Sequence, residues 1–162
     1  MGKDKESLDK LKKDYSKIQE KYNLPSFEEL NEDFQIEKVS EIETELLIRE
    51  MRKFISEKFS NYLRFIETIL NPVNVSMFIF SVIKSLDIKE RNKLTEIYKQ
   101  LAKTEVDMIE LDIEFSESKE ADFIKESFAV WQDVKKDLLD IIKIIKRNWD
   151  NKLEVNGKSY FG

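Results

Sequence analysis

The stretch Val73–Leu86, which reads VNVSMFIFSVIKSL, is the most apolar part of the chain, and Lys84 is its only charged residue. Its 14 residues fall short of the roughly 20 that a helix needs to cross a bilayer. Pro72 precedes it, and proline suits the first position of a helix because its missing N–H would be unpaired there anyway. We therefore predict a helix over 73–86 that forms the buried centre of a water-soluble core.

The same stretch also has the alternation of a β-strand, with apolar residues at Val73, Val75, Met77 and Ile79. A strand needs a neighbour to satisfy its backbone hydrogen bonds. The chain offers no second stretch with a comparable pattern, and for this reason we prefer the helix.

Residues 3–22 predict a narrow amphipathic helix. Their apolar residues follow the spacing of three and four that places one seam along a helix: Leu8, Leu11, Tyr15, Ile18 and Tyr22. Pro25 then breaks the pattern. A seam set apart in this way is typical of a helix that pairs with another helix or docks into a groove. Leu8, Leu11, Tyr15 and Ile18 are therefore candidate contacts to a protein partner, either a second copy or another protein; the alternative is that the helix packs on its own bundle.

Capping signals and helical periodicity define the remaining elements. Ser26 with Glu29 opens a short helix, and an irregular segment follows. Ser40 with Glu43 opens a long helix that ends at Asn71-Pro72. Another helix follows from Asp87 to about Ile113, and the last one runs from a turn at 115–118 to about residue 150. Beyond it, Asn156-Gly157 indicates a turn.

Together these elements predict an all-α fold, a single-domain helical bundle of about five helices. Three of the helices are long, and the N-terminal one is amphipathic. Residues 1–25 form a helical arm, 26–150 the bundle, and 151–162 a tail that is loose or docked. One domain is the default for a chain of 162 residues.

The composition excludes several kinds of chemistry. The chain has no cysteine, no histidine and three glycines, so disulfides, thiolate zinc sites, histidine bases and glycine-rich phosphate loops are excluded. An active site would have to use carboxylates, lysine, tyrosine and hydroxyl groups. We expect no cofactor.

Paired carboxylates three residues apart can hold Mg²⁺, as in all-helical nucleotide pyrophosphatases of the MazG type. The chain has this spacing at Glu29/Glu32, Asp107/Glu110, Glu114/Glu117, Glu117/Glu120 and Asp137/Asp140. With 33 acidic residues in 162, chance explains these pairs, and none lies squarely on an apolar stripe. A Mg²⁺-dependent nucleotide hydrolase is therefore a distant third interpretation.

The charges are distributed unevenly. Residues 26–50 and 105–126 are strongly acidic, whereas 51–104 are basic. A basic helix face can bind phosphates of nucleic acid, and the candidate residues are Arg52, Lys53, Arg64, Lys84, Lys89, Arg91, Lys93, Lys99 and Lys103, or Lys135, Lys136, Lys143, Lys146 and Arg147. The net charge of −5 and the lack of interleaved aromatic residues disfavour this interpretation.

Two charged residues interrupt the apolar stripes. Lys58 lies between Phe54 and Tyr62, and Glu105 lies between Leu101 and Met108. If the helix 73–86 runs back between its neighbours, those neighbours are parallel and the two charges reach the same height. We therefore predict a partly buried ion pair between Lys58 and Glu105; the alternative is that both side chains extend to solvent.

The N-terminus, Met-Gly-Lys-Asp-Lys-Glu, has no apolar targeting segment, and Glu6 stands where a myristoylation signal requires Ser or Thr. We expect a cytoplasmic protein without a membrane partner.

Three features resemble a group of small, uncharacterised archaeal proteins that are helical and cytoplasmic. They are the run Leu24–Leu30, the long helix ending Ile69-Leu70-Asn71-Pro72, and the closing helix from Phe123 to Trp149. The resemblance covers roughly residues 20–150 and implies no activity. The helices also resemble the helical half of archaeal GINS replication subunits, although the small β-domain expected there is absent from the sequence.

We therefore predict a non-enzymatic protein-interaction or structural module. The alternative is a nucleic-acid- or ribosome-associated factor that uses basic helix faces.

Overall fold

A computed structural model describes residues 2–160 and the side chains of residues 5–151. The described residues form helices and no strand, which confirms the all-α prediction. This part of the chain has seven helices rather than about five: α1 (Gly2–Tyr22), α2 (Phe27–Phe34), a 3₁₀ helix (Ile36–Glu41), α3 (Leu47–Leu70), α4 (Met77–Ser85), α5 (Ile88–Ile113) and α6 (Glu117–Tyr160).

The predicted capping box at Ser26 forms, and the predicted cap at Asp87 also forms a capping box. At the start of α2, the Glu29 N–H donates to Ser26 Oγ (3.2 Å) and the Ser26 N–H donates to the Glu29 carboxylate (2.9 Å). At the start of α5, Asp87 and Glu90 exchange the same two bonds at 3.0 and 2.8 Å. Both boxes satisfy backbone N–H groups that have no partner within the helix.

The predicted start of the long helix at residue 41 is wrong, because α3 begins at Leu47. Ser40 belongs to the 3₁₀ helix, and its carbonyl accepts a hydrogen bond from Ser7 Oγ (2.6 Å). Ile42 is extended, with φ −105° and ψ 125°. This conformation interrupts the helix, and Thr44 Oγ1 instead accepts from the Leu46 N–H (3.0 Å) just before α3.

The last helix, α6, continues to Tyr160, beyond the predicted end near 150 and through the Asn156-Gly157 pair where we predicted a turn. One glycine costs a helix only about 1 kcal/mol relative to alanine, so it does not by itself end so long an element. Residues 161 and 162 of the predicted tail lie outside the described residues.

Contacts divide the chain into two compact units. Unit 1 comprises Met1–Asn61 and Leu101–Val130, and unit 2 comprises Tyr62–Gln100 and Trp131–Gly162. The core of unit 1 includes Leu30, Ile36, Ile55, Phe59, Leu101 and Ile124. The core of unit 2 includes Ile66, Leu94, Ile97, Val134 and Ile141. Each unit thus has its own buried apolar residues, and the prediction of a single domain stays a prediction.

Within unit 1, α3 and α5 run antiparallel. Arg52 Nη2 lies 2.8 Å from Asp112 Oδ1, and Ser60 Oγ donates to Glu105 Oε2 at 2.7 Å, so higher numbers in α3 meet lower numbers in α5. The predicted parallel arrangement is wrong. It assumed that the helix 73–86 runs back between its neighbours, whereas Arg49 and Arg52 at the start of α3 lie beside Asp112 at the end of α5.

The prediction that 73–86 is the buried centre of the fold is also wrong. Only residues 77–85 of the stretch form a helix, which is capped at Ser76 and does not begin at Pro72, and Val82 is the one residue of α4 that is buried. Met77 is 81% exposed. In unit 2 the stripes of α3, α5 and α6 already supply a core, so α4 contributes only one narrow side to it.

Candidate interaction surfaces

The exposed side of α4, with the residue that leads into it, forms an apolar surface in unit 2. It comprises Val73 (71% exposed), Met77 (81%), Phe78 (56%) and Phe80 (46%), and we call it the α4 surface. Single exposed apolar residues are common in soluble proteins, whereas contiguous exposed apolar patches mark sites of interaction. The four side chains lie within eight residues of the sequence, and Met77 and Phe80 are neighbours on the helix surface because they are three residues apart.

Positive charge borders the α4 surface. The ammonium group of Lys84 lies 4.4 Å from the centroid of the Phe80 ring, and the guanidinium of Arg91 donates to the carbonyl of Ile83 (2.9 Å). The segment from Asn71 to Leu86 contains no acidic residue. The charged groups that contact α4 itself, Lys84 and Arg91, are therefore basic, and the acidic residues Asp87 and Glu90 follow the segment directly at the start of α5.

Local bonds hold α4 in place while leaving this surface open. Ser76 Oγ caps the helix by accepting from the Ile79 N–H (3.3 Å). The Asn148 amide on α6 donates to the carbonyl of Ser85 (2.7 Å) at the other end. Trp149, next to Asn148, packs against Phe78 with ring centroids 5.9 Å apart. Both ends of the helix are thus fixed, and its apolar side chains are displayed on a defined backbone.

A second apolar surface runs along α5 in unit 1. Val106 (66% exposed), Ile109 (53%) and Ile113 (81%) are spaced by three and four residues, which places them in one row on a helix. We call this row the α5 stripe. It points away from the buried side of α5, where Leu101, Thr104 and Leu111 lie.

The margin of the α5 stripe is acidic. Acidic residues alternate with it along the helix: Glu105, Asp107, Glu110, Asp112 and Glu114. Three of them have partners within unit 1, because Glu105 accepts the Ser60 hydroxyl, Asp112 binds Arg52 and Glu110 pairs with Lys119. Lys103 is the only basic residue from Leu101 to Phe115. The α5 stripe therefore matches the α4 surface in apolar character and opposes it in charge.

The predicted seam of α1 packs largely against its own chain. Leu11 and Tyr15 are buried, Leu8 and Ile18 are half-buried, and α1 contacts the 3₁₀ helix and α2. The Tyr15 hydroxyl donates to the carbonyl of Pro25 (2.5 Å), and burial, assisted by the charge of Glu29, raises the pKa of this phenol above its usual value.

Part of the α1 seam remains accessible. Leu11 and Ile18 line an open groove of about 440 Å³ whose other wall includes Ile42 and Leu47. Partner binding through Leu8, Leu11, Tyr15 and Ile18 stays a prediction, and the packing of Leu11 and Tyr15 makes α1 a less accessible surface than α4.

The structure gives Lys58 and Glu105 other partners. The Lys58 ammonium donates to the carbonyl oxygen of Asp33 and lies 5.4 Å from the centroid of the Phe34 ring. Glu105 accepts the Ser60 hydroxyl. Neither contact joins the two residues that we predicted to pair.

Unit 1 contains a buried ion network of Arg52, Asp112 and Glu120, which we did not predict from the sequence. Arg52 is 1% exposed and Glu120 is 0% exposed. Arg52 Nε lies 2.7 Å from Glu120 Oε2, and its Nη2 lies 2.8 Å from Asp112 Oδ1 and 3.3 Å from Glu120 Oε1. The fork of the guanidinium thus joins α3 to α5 and α6.

A signal for this network exists in the sequence. Arg52 stands four residues after Ile48 and three before Ile55, which is the spacing of the buried side of α3. Glu120 likewise stands four residues before Ile124 and is buried with it, so the prediction that none of the paired carboxylates lies on an apolar stripe is wrong for Glu120. A buried charge needs a partner of opposite charge. A basic and an acidic residue that each occupy a core position are therefore expected to pair.

The candidate phosphate-binding residues are only partly free to meet a ligand. Arg52 is buried in the network above. Lys53 pairs with Glu50, Lys93 with Asp137, Lys99 with Glu96, and Lys143 with Asp140. The carboxylate pairs suggested for Mg²⁺ do not converge, since no group of three or more acidic residues in the described part of the chain is placed to hold a metal ion.

Among the described helices, none has the length and hydropathy required to span a membrane. Comparisons with known proteins give no match, whether to a protein-family model, a curated protein or a solved structure. The resemblance to archaeal proteins therefore stays a prediction.

Proposed function

We propose that the protein is a non-enzymatic interaction module that binds the helical face of another polypeptide through the α4 surface. The observation that carries the proposal is the exposure of the most apolar helix of the chain. Exposing it to water costs about 25 cal/mol per Å² of apolar area, and a partner that covers it recovers this free energy.

The charge near α4 selects the kind of partner. Lys84 and Arg91 lie beside the apolar residues, and unit 2 as a whole has 13 basic against 9 acidic residues. Opposite charges at the margin favour encounter and fix orientation. The partner is accordingly an amphipathic helix with an apolar stripe and an acidic margin.

We place the partner-binding surface on α4 rather than on α1. Leu11 and Tyr15 would have to leave the core of unit 1 to anchor a partner, whereas Met77 and Phe80 already face solvent. Nucleic-acid binding through basic helix faces is the second interpretation. Several of its candidate residues already pair with carboxylates, namely Arg52, Lys53, Lys93, Lys99 and Lys143, and this favours the apolar α4 surface.

A charge-matched pair of peptides tests the proposal. Both are designed amphipathic helices with leucine at spacings of three and four, and their polar positions carry glutamate in one and lysine in the other. Fluorescence anisotropy of the labelled peptides gives the dissociation constants. We expect the glutamate peptide to bind at least about tenfold more tightly, and Met77→Glu with Phe80→Glu to abolish binding.

The matched control is Leu139→Glu, which changes another exposed apolar residue of unit 2 (51% exposed) and should leave binding unchanged. Equal affinity for the two peptides, or binding that survives the Met77 and Phe80 substitutions, contradicts the proposal. So does binding to anionic vesicles that depends on Met77 without binding to the peptide, because the α4 surface would then be a lipid contact.

A further inference from the structure

The chain itself carries the type of surface that the α4 surface is proposed to bind. The α5 stripe is helical, apolar and exposed, and its margin is acidic. We propose that the α4 surface of one copy docks on the α5 stripe of a second copy, so that the molecule associates head to tail. The inference rests on the proposed function of the α4 surface and names its partner.

The charges favour this pairing over the symmetric alternatives. Two α5 stripes placed face to face would bring Asp107 and Glu114 close to their copies, while Glu110 is already paired with Lys119. Two α4 surfaces would oppose Lys84 and Arg91 to their copies. Like charges at an interface cost free energy, so the mixed contact is the favoured one. Unit 1, which supplies the acidic surface, has 24 acidic against 15 basic residues.

The two surfaces also match in length. A helix rises about 1.5 Å per residue, so the nine residues of α4 extend roughly 13 Å, and the row from Val106 to Ile113 extends roughly 11 Å. Each surface can therefore cover most of the other, with Met77 and Phe80 of one copy beside Val106 and Ile109 of the second.

A contact between different surfaces leaves each copy with one free surface of each kind. Such heterologous contacts propagate into rings or open chains rather than closing as a dimer. The helix faces are smaller than a standard interface, so we expect weak association, with a dissociation constant on the order of 10–100 μM. The association should weaken as salt screens the charges.

A mixing experiment tests this inference. One variant blocks the α4 surface (Met77→Glu with Phe80→Glu) and the other blocks the α5 stripe (Val106→Lys with Ile109→Lys). All four residues are exposed, so folding should be retained, and circular dichroism checks it. Sedimentation velocity should show the unchanged protein growing beyond a dimer with concentration, each variant monomeric, and the mixture forming a one-to-one dimer.

The mixed dimer is the decisive outcome, because each variant keeps the surface that the other has lost. A mixture that stays monomeric overturns the inference, as does a dimer formed by either variant alone. Leu139→Lys is the matched control and should associate like the unchanged protein. The glutamate peptide separates the two proposals: if it binds the α4 surface while the protein remains monomeric at millimolar concentration, only the head-to-tail inference fails.

Discussion

Arg52 joins three helices of unit 1. Its guanidinium is buried and contacts carboxylates from α5 and α6, and Glu120 is buried with it. Removing two charges from water costs several kcal/mol per ion, and their attraction compensates only when the geometry is good. Removing one partner therefore leaves the other charge buried and unpaired.

Replacing Arg52 should therefore destabilise the fold strongly. We expect Arg52→Met to lower the free energy of unfolding by about 3–5 kcal/mol, and the double change Arg52→Met with Glu120→Leu to recover most of this loss. Urea denaturation followed by circular dichroism measures both. Lys53→Met, one residue along and exposed, is the control and should change stability by less than about 0.5 kcal/mol. A single Arg52→Met effect as small as that of the control would show that the pair is not buried in solution.

The element that matters most for the proposed interaction is α4, which has only nine residues. Helices this short are unstable alone in water. Tertiary contacts at Val82 and Asn148 and the cap at Ser76 therefore maintain its helical form.

The N-cap of α4 can be tested separately from its apolar side chains. Ser76→Ala should destabilise the helix by about 1 kcal/mol, which increases hydrogen exchange at the amides of 77–85 roughly fivefold. Exchange followed by mass spectrometry measures this. Ser81→Ala, in the middle of the same helix, is the control and should not increase exchange, because alanine is the better helix former. Equal exchange in the unchanged protein and Ser76→Ala would mean that the cap does not hold α4.

Local signals explain which elements were predictable. The capping boxes at Ser26 and Asp87 and the proline at 25 act over a few residues, so the sequence predicted α1, α2 and α5 closely. The box at Ser40 failed because Ile42 is extended. The direction of α3 relative to α5 and the exposure of α4 depend on packing between distant segments, which hydrophobicity alone does not encode. The same limit applies to the site: the sequence left open whether the α1 seam packs on its own bundle or binds a partner, and its prediction that α4 is core is wrong.

For the molecule as a whole, the two units that the contacts define also differ in the sign of their net charge. Unit 1 is acidic and unit 2 is basic, and each has an exposed apolar helical surface, the α5 stripe in unit 1 and the α4 surface in unit 2. This combination supports the proposed association between copies and its dependence on salt. The proposed association between copies requires that α4, the most apolar helix, lies at the surface.

Oxidation of individual methionines by hydrogen peroxide tests that claim most directly. Met77 is 81% exposed and Met51 is 1% exposed, so one chain contains both the probe and its reference. Peptide mass spectrometry on dilute protein should show Met77 oxidised at close to the rate of free methionine and at least about tenfold faster than Met51, with the difference abolished in concentrated urea. If Met77 were oxidised as slowly as Met51 in the folded protein, α4 would lie in a core, and this result would contradict the account.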